Sequence, residues 1–80
     1  MKARIYVTLK KAVLDPQGKA VARSLQQLGF AEVEDVRIGK YIELTLRAAS
    51  AEAARAHIEN MCQKLLANTV IEDYRIEVEA

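Results

Sequence analysis

The residues able to do chemistry in this 80-residue chain are few, and their spacing argues against a reaction centre. His57 is the only histidine and Cys62 the only cysteine. A metal site needs His, Cys or carboxylate ligands a few residues apart on one element. His57 has no such partner and reads as an exposed or half-exposed helix residue, so no metal is expected. Cys62 sits beside Met61 on an apolar stripe with no base placed by motif, and reads as a small buried hydrophobe rather than a nucleophile. The three glycines, Gly18, Gly29 and Gly39, form neither a dinucleotide fingerprint nor a phosphate loop. Gly18 opens a helix and could admit an anion there, but a structural turn is the stronger reading. Glu72 and Asp73 are adjacent, and neighbouring strand residues point to opposite faces, so they cannot share one acid–base task. No catalytic residue is expected. What remains suits contact rather than catalysis: Arg37, Lys40 and Tyr41 around a bend, and Glu72, Asp73 and Tyr74 at the start of a strand.

Composition agrees. Twelve basic and eleven acidic residues give a net charge of +1, a balance that points to neither nucleic acid nor an anionic membrane as partner. A single cysteine allows no intrachain disulfide. With no signal peptide and no long apolar run, a reducing cytoplasm is expected. Half of the residues are hydrophobic but only 5% are aromatic, so Ala, Val, Ile and Leu must build the core. A single domain of this length buries only roughly 60–65% of its unfolded surface. A core this thin favours self-association into a dimer or larger.

The elements that position these residues follow from periodicity. Residues 3–9 alternate, with Ala3, Ile5, Val7 and Leu9 on one face and Arg4, Tyr6 and Thr8 on the other, which predicts a half-buried strand. Asp15-Pro16 starts a helix: Asp15 can cap a free N–H, and Pro16 suits the first helical position. Val21, Leu25 and Leu28 form its apolar stripe, flanked by Ala20 and Ala22, and Gly29 is a natural left-handed terminator.

The run from Val33 to Arg47 keeps one parity. Val36, Ile38, Ile42, Leu44 and Leu46 are even; Arg37, Tyr41, Glu43, Thr45 and Arg47 are odd. A two-residue hairpin at Gly39-Lys40 would set Glu43 opposite Val36 on the apolar face, against the pattern. The run is therefore either a hairpin with a three-residue loop, Gly39 to Tyr41, or one long strand bent at Gly39. A straight strand would span roughly 50 Å, against a globule of about 30 Å. It must bend or reach a neighbouring subunit.

Ser50 caps a second helix with Ala54, Ile58, Met61, Cys62 and Leu65 inward and Leu66 beside them. Asn68 can end it in a left-handed conformation. From Val70 onward, Tyr74, Ile76 and Val78 alternate with charged residues as the last strand. The whole reads as one α+β domain over residues 1–80, a two-layer sandwich of an antiparallel sheet with two helices on one face. It is ferredoxin-like or a relative of that plan.

Three blocks carry a resemblance. They are Val13-Leu14-Asp15-Pro16-Gln17-Gly18, then Leu28-Gly29-Phe30 with Val36-Arg37-Ile38-Gly39-Lys40, then Asn68-Thr69-Val70-Ile71-Glu72-Asp73-Tyr74. Together they resemble the PurS family, the small subunit of phosphoribosylformylglycinamidine synthase, over nearly the whole chain. Thr69 stands where the family often has proline. The resemblance implies a role in de novo purine synthesis. The full enzyme converts formylglycinamide ribonucleotide, ATP and glutamine into formylglycinamidine ribonucleotide, ADP, phosphate and glutamate. A glutaminase subunit, PurQ, releases ammonia, and a synthase subunit, PurL, activates the amide with ATP and Mg. The small subunit is implied to carry no catalytic residue, to bind no cofactor itself, and to dimerise or tetramerise while bridging the other two so that ammonia passes between them.

Two other classes stand beside this reading. An ACT-like sensor would bind an amino acid between subunits in a polar pocket at glycine turns, for which Asp15 to Gly18 could serve. A stand-alone enzyme would need a nucleophile–base pair or a ligand cluster, and neither is present. In the assembly reading Arg37 and Tyr41 share the polar face of the long strand, within reach of one partner.

Overall fold

The alternation of Ala3, Ile5 and Val7 makes β1 (Lys2–Leu9) the centre of the sheet in the computed structural model, which describes residues 1–79. β1 pairs antiparallel with β2 (Gly39–Thr45) on one side and β3 (Glu72–Glu79) on the other, giving the order β2-β1-β3. The register sets Ile5 between Ile42 and Ile76, and Ala3 between Leu44 and Val78. One sheet face is thus aliphatic across all three strands. Helix α2 (Ala51–Met61) covers it, burying Ala54 and Ile58 against Ala3, Ile5, Val7 and Ile76. Ser50 caps α2 by accepting from the Ala53 N–H at 3.1 Å.

Helix α1 (Pro16–Gln27) begins where the local signals place it. Asp15 is the N-cap and accepts from the Gly18 N–H, with Pro16 at the first position. It also ends as read. Gly29 has φ 105°, the Gly29 N–H reaches the Gln26 carbonyl, and the Phe30 N–H reaches the Leu25 carbonyl. That is the paired hydrogen bonding of a glycine-terminated helix, and it needs a residue tolerant of positive φ.

The α+β class and antiparallel sheet agree with the sequence reading, but four expectations are corrected. The first is the layer of two helices on one face. α1 contributes no residue to the core cluster. Its stripe stays open, with Val21 39% and Leu28 73% exposed. The chain measures 50 × 25 × 14 Å with a radius of gyration of 16.0 Å, against about 12 Å for a compact chain of this length. α1 is an arm.

The second is the long strand. Among the described residues there is no hairpin, and β2 begins only at Gly39; residues 33–38 join no ladder. The Ile38 N–H is engaged by Asp15 instead of by a neighbouring strand. The third is Leu65, expected inward but 84% exposed. A π-helical turn, Cys62–Leu66, follows α2, and the Ala67 N–H bonds the Cys62 carbonyl five residues back. The wider turn advances the phase, so Leu66 and Ala67 face inward. The fourth is Asn68: no residue other than glycine has positive φ among those described. Asn68 instead makes an Asx turn, its Oδ1 accepting from the Val70 N–H at 3.2 Å.

Candidate functional site

The residues singled out by sequence gather mainly at one end of the sheet, where α1 starts and β2 begins. Asp15 is the pivot. It is 4% exposed, and its two oxygens serve two elements. Oδ1 accepts from Gly18 at 2.9 Å and Oδ2 accepts from the Ile38 N–H at 2.7 Å. The residues on either side of Asp15 are tied to the same segment. The Arg37 Nη2 donates to the carbonyls of Lys10 at 2.9 Å and Val13 at 3.0 Å. Gly18 is buried, and a Cβ placed there would overlap the carbonyl oxygen of Val36. Residues 36, 37 and 38 are therefore each pinned to the β1–α1 connection or to the first turn of α1. Arg37 spends its guanidinium on this joint rather than offering it beside Tyr41.

The backbone N–H groups of Gly18 and then Ile38 hold the Asp15 carboxyl below its ordinary value. Lys2 does the same for Glu43, and the Tyr6 hydroxyl for Glu77. Carboxylates depressed in the folded state stabilise it above their unfolded pKa of about 4, and that contribution is lost as pH falls through the folded values. The urea midpoint is expected to fall steeply in acid. Asp15→Asn should lower it at pH 7, and the gap to the native chain should narrow by pH 2. An equal gap at both pH values would show that Asp15 is not the titrating support.

Lys40 and Glu72 meet beyond Asp15. Lys40 lies opposite Val7 and Glu72 opposite Leu9, so both project on the helix-side face of the sheet. Their Nζ and Oε2 atoms are 3.7 Å apart, and Glu72 Oε1 accepts from the Asn68 N–H at 2.7 Å. A cavity of about 230 Å³ lies among Val7, Leu9, Asp15, Ile38, Lys40 and Glu72. The Lys40 side chain is 59% exposed. A pair this open contributes at most about 1 kcal/mol.

Tyr41 and Asp73 lie on the opposite, uncovered face. Tyr41 packs on Tyr6 with ring centroids 5.3 Å apart, and the Arg75 guanidinium stands 4.2 Å over the Tyr6 ring. The Tyr6 hydroxyl donates to Glu77 at 2.9 Å, which raises the Tyr6 pKa. Tyr6, Arg75 and Glu77 were not singled out by sequence, although an outward aromatic on the central strand was legible in the alternation of β1. Tyr74 faces the helix side and donates to Glu59 at 2.9 Å. Gly29 lies at the far end of α1. Five of the six contact candidates thus divide between the two sheet faces, and Arg37 belongs to the joint.

The reactive side chains stay apart. His57 is exposed on α2, and Cys62 is fully buried, where burial pushes its thiol up. Among the described residues no three His, Cys, Asp or Glu side chains could hold a metal ion, and no helix is long and apolar enough to cross a membrane. Among the described residues the arrangement leaves one sheet face uncovered, α1 standing apart as an arm and the outer edges of β2 and β3 unpaired.

Comparison with known proteins matches this chain, over residues 2–80, to the family model described as PurS: phosphoribosylformylglycinamidine (FGAM) synthase. It is 55% identical over 78 residues to the phosphoribosylformylglycinamidine synthase subunit PurS of Bacillus subtilis, covering 98% of this chain and 92% of that one. The C2 crystal form of B. subtilis PurS superposes with a TM-score of 0.89 at 56% identity, covering 99% of this chain and 98% of that one. A chain in the structure of PurLQS from Thermotoga maritima matches with a TM-score of 0.88 at 33% identity, covering 95% of this chain and 93% of that one. Full-length agreement of sequence and of backbone leaves one conclusion: this chain belongs to the PurS family of phosphoribosylformylglycinamidine synthase subunits.

Proposed function

We propose that this chain is the small, non-catalytic subunit of a glutamine-dependent, ATP-consuming ligase, phosphoribosylformylglycinamidine synthase, acting in purine biosynthesis in the cytoplasm. It binds a glutaminase subunit, PurQ, and a synthase subunit, PurL, and supports the passage of ammonia between them. ATP, Mg and glutamine belong to those partners. The observation that carries this reading is the full-length likeness to a chain of PurLQS. The scatter of reactive side chains supports a contact role: His57 is exposed, Cys62 is buried, Glu72 pairs with Lys40 and Asp15 caps α1.

The test is a titration of variants into fixed amounts of the other two subunits. Tyr41→Ala and Asp73→Lys alter the open face without touching the Asp15 joint. Each should raise the subunit concentration needed for half-maximal glutamine-dependent synthesis by about tenfold, or ~1.4 kcal/mol. The rate at saturation should recover, because mass action offsets weakened binding. Activity with free ammonium should persist. A rate that stays near zero at saturation, with the complex formed, would assign a catalytic residue to this chain. The cavity beside Asp15 and Lys40 keeps a sensor reading testable: a saturable thermal shift with one amino acid would favour it.

A further inference from the structure

We propose that the cavity at the start of β2 is a binding site for a small zwitterion, an α-amino acid with an uncharged side chain, held between Lys40 and Glu72. This rests on the sensor reading of that cavity and names its ligand class; the assembly role of the chain stands apart from it.

The first observation is how the cavity is built. Lys40 on β2 and Glu72 on β3 flank the central strand on either side. Two strand spacings, roughly 10 Å, separate their backbones, yet Nζ and Oε2 stand 3.7 Å apart. Both side chains therefore lean inward over β1. The core beneath α2 ends on β1 at Val7 and does not include Leu9. Val7, Leu9 and Ile38 instead give the cavity an apolar floor. Its volume of about 230 Å³ is below the ~300–1,000 Å³ of pockets for drug-sized ligands, which suits a metabolite of a few carbons. An apolar floor with a few convergent polar groups is the usual make-up of a small-molecule site.

The second observation is unspent hydrogen-bonding capacity. At 3.7 Å the Lys40–Glu72 contact is an ion pair but is longer than a hydrogen bond. Glu72 Oε1 accepts from the Asn68 N–H at 2.7 Å, and the side chain is only 15% exposed, so the carboxylate is held in place. Among the described residues neither Glu72 Oε2 nor the Lys40 ammonium has a hydrogen bond. The start of α1 is not the attraction, because Asp15 already takes the Gly18 and Ile38 N–H groups.

The third observation is charge. A ligand with a single charge answers one half of the pair and is repelled by the other. A zwitterion answers both: its carboxylate accepts from Lys40, and its ammonium donates to Glu72 Oε2. Each bond is charge-assisted, shorter and stronger than the contact it replaces. The existing pair is exposed and weak, so separating it costs little. Asp15 also lines the cavity, which sets two carboxylates against one ammonium. That surplus of negative charge repels a second carboxylate on the ligand. The site therefore prefers an uncharged side chain to an acidic one of the same size.

The experiment is a titration of the full, isotope-labelled chain with alanine, serine, asparagine and glutamine, read by amide chemical shifts and by calorimetry. At least one of them should give saturable shifts at Gly39, Lys40 and Glu72. Aspartate and glutamate should bind at least about tenfold more weakly than the best of the four, and so should the N-acetylated form of that ligand, which has lost its ammonium. Lys40→Met and Glu72→Gln should each weaken the best ligand by about tenfold. Glutamine at position 72 keeps an oxygen for the Asn68 N–H, so the local turn is retained. The acid and N-acetyl comparisons use the unmodified chain, and they decide the matter even where a variant does not fold. Shifts centred elsewhere, acids that bind as well as the neutral ligands, or folded variants that bind normally would each overturn the site while leaving a sensor reading in place. No response to any amino acid would overturn both. Cavity amides perturbed by PurQ or PurL but by none of the amino acids would make this a protein contact and overturn the ligand site.

Discussion

Gly18→Ala is expected to destabilise the chain by about 3 kcal/mol, although alanine is the better helix former. Propensity alone favours the substitution by ~1 kcal/mol. Against it stands the Val36 carbonyl oxygen, which the new methyl would overlap. That oxygen is backbone and cannot rotate aside. The first turn of α1 and residues 36–38 must separate, straining packing by ~1–3 kcal/mol. The separation also stretches the bond from the Ile38 N–H to Asp15 Oδ2, now 2.7 Å, and a part-buried donor left without a partner costs ~1–3 kcal/mol more. The opposing terms outweigh propensity. The melting temperature should fall by roughly 15 °C. Gly29→Ala is the comparison: nothing lies within 4 Å of a Cβ there, and only its positive φ resists, a strain of ~1–2 kcal/mol. A chain stabilised by Gly18→Ala would show that the joint does not hold α1 against residues 36–38.

Ile58→Ala should cost about 3–4 kcal/mol, within the range for truncating a fully buried aliphatic side chain. Ile58 is 0% exposed, on the inner face of α2 against Ile5, Val7 and Cys62. Among the described residues eight hydrophobic side chains are buried in the core, so the neighbours have little freedom to collapse into the void. A domain of this length has roughly 4–12 kcal/mol of stability in total, and the loss takes a large share of it. Urea unfolding at fixed protein concentration measures the effect. Val70→Ala, at a position 80% exposed, should move the midpoint by less than ~0.5 kcal/mol. Similar shifts for the two would mean that α2 does not form the second layer.

What could be read from the sequence is what depends on neighbours within a few residues. The starts of both helices were legible because a cap is a local hydrogen bond: Asp15 to the Gly18 N–H, Ser50 to the Ala53 N–H. The end of α1 was legible because only glycine takes φ 105° cheaply. The inward faces of β1, β2 and β3 followed from a period of two, and the family was readable in the three motif blocks. Tertiary structure alone decided the rest. Periodicity says that one side of α1 is apolar, but not what covers it, and here its own sheet does not. Parity places Ile38 and Ile42 on one face, but not where pairing begins; the Asp15 carboxylate takes the Ile38 N–H and the ladder starts one residue later. Leu65 and Leu66 exchanged roles because one π-helical turn changes the angle per residue, which no hydrophobic period reveals. Lys40 and Glu72, 32 residues apart in sequence, met only because each pairs with β1, at Val7 and at Leu9. For Ile38 and for the Lys40–Glu72 pair the deciding partner lies far along the chain, and only the folded chain brings it within reach.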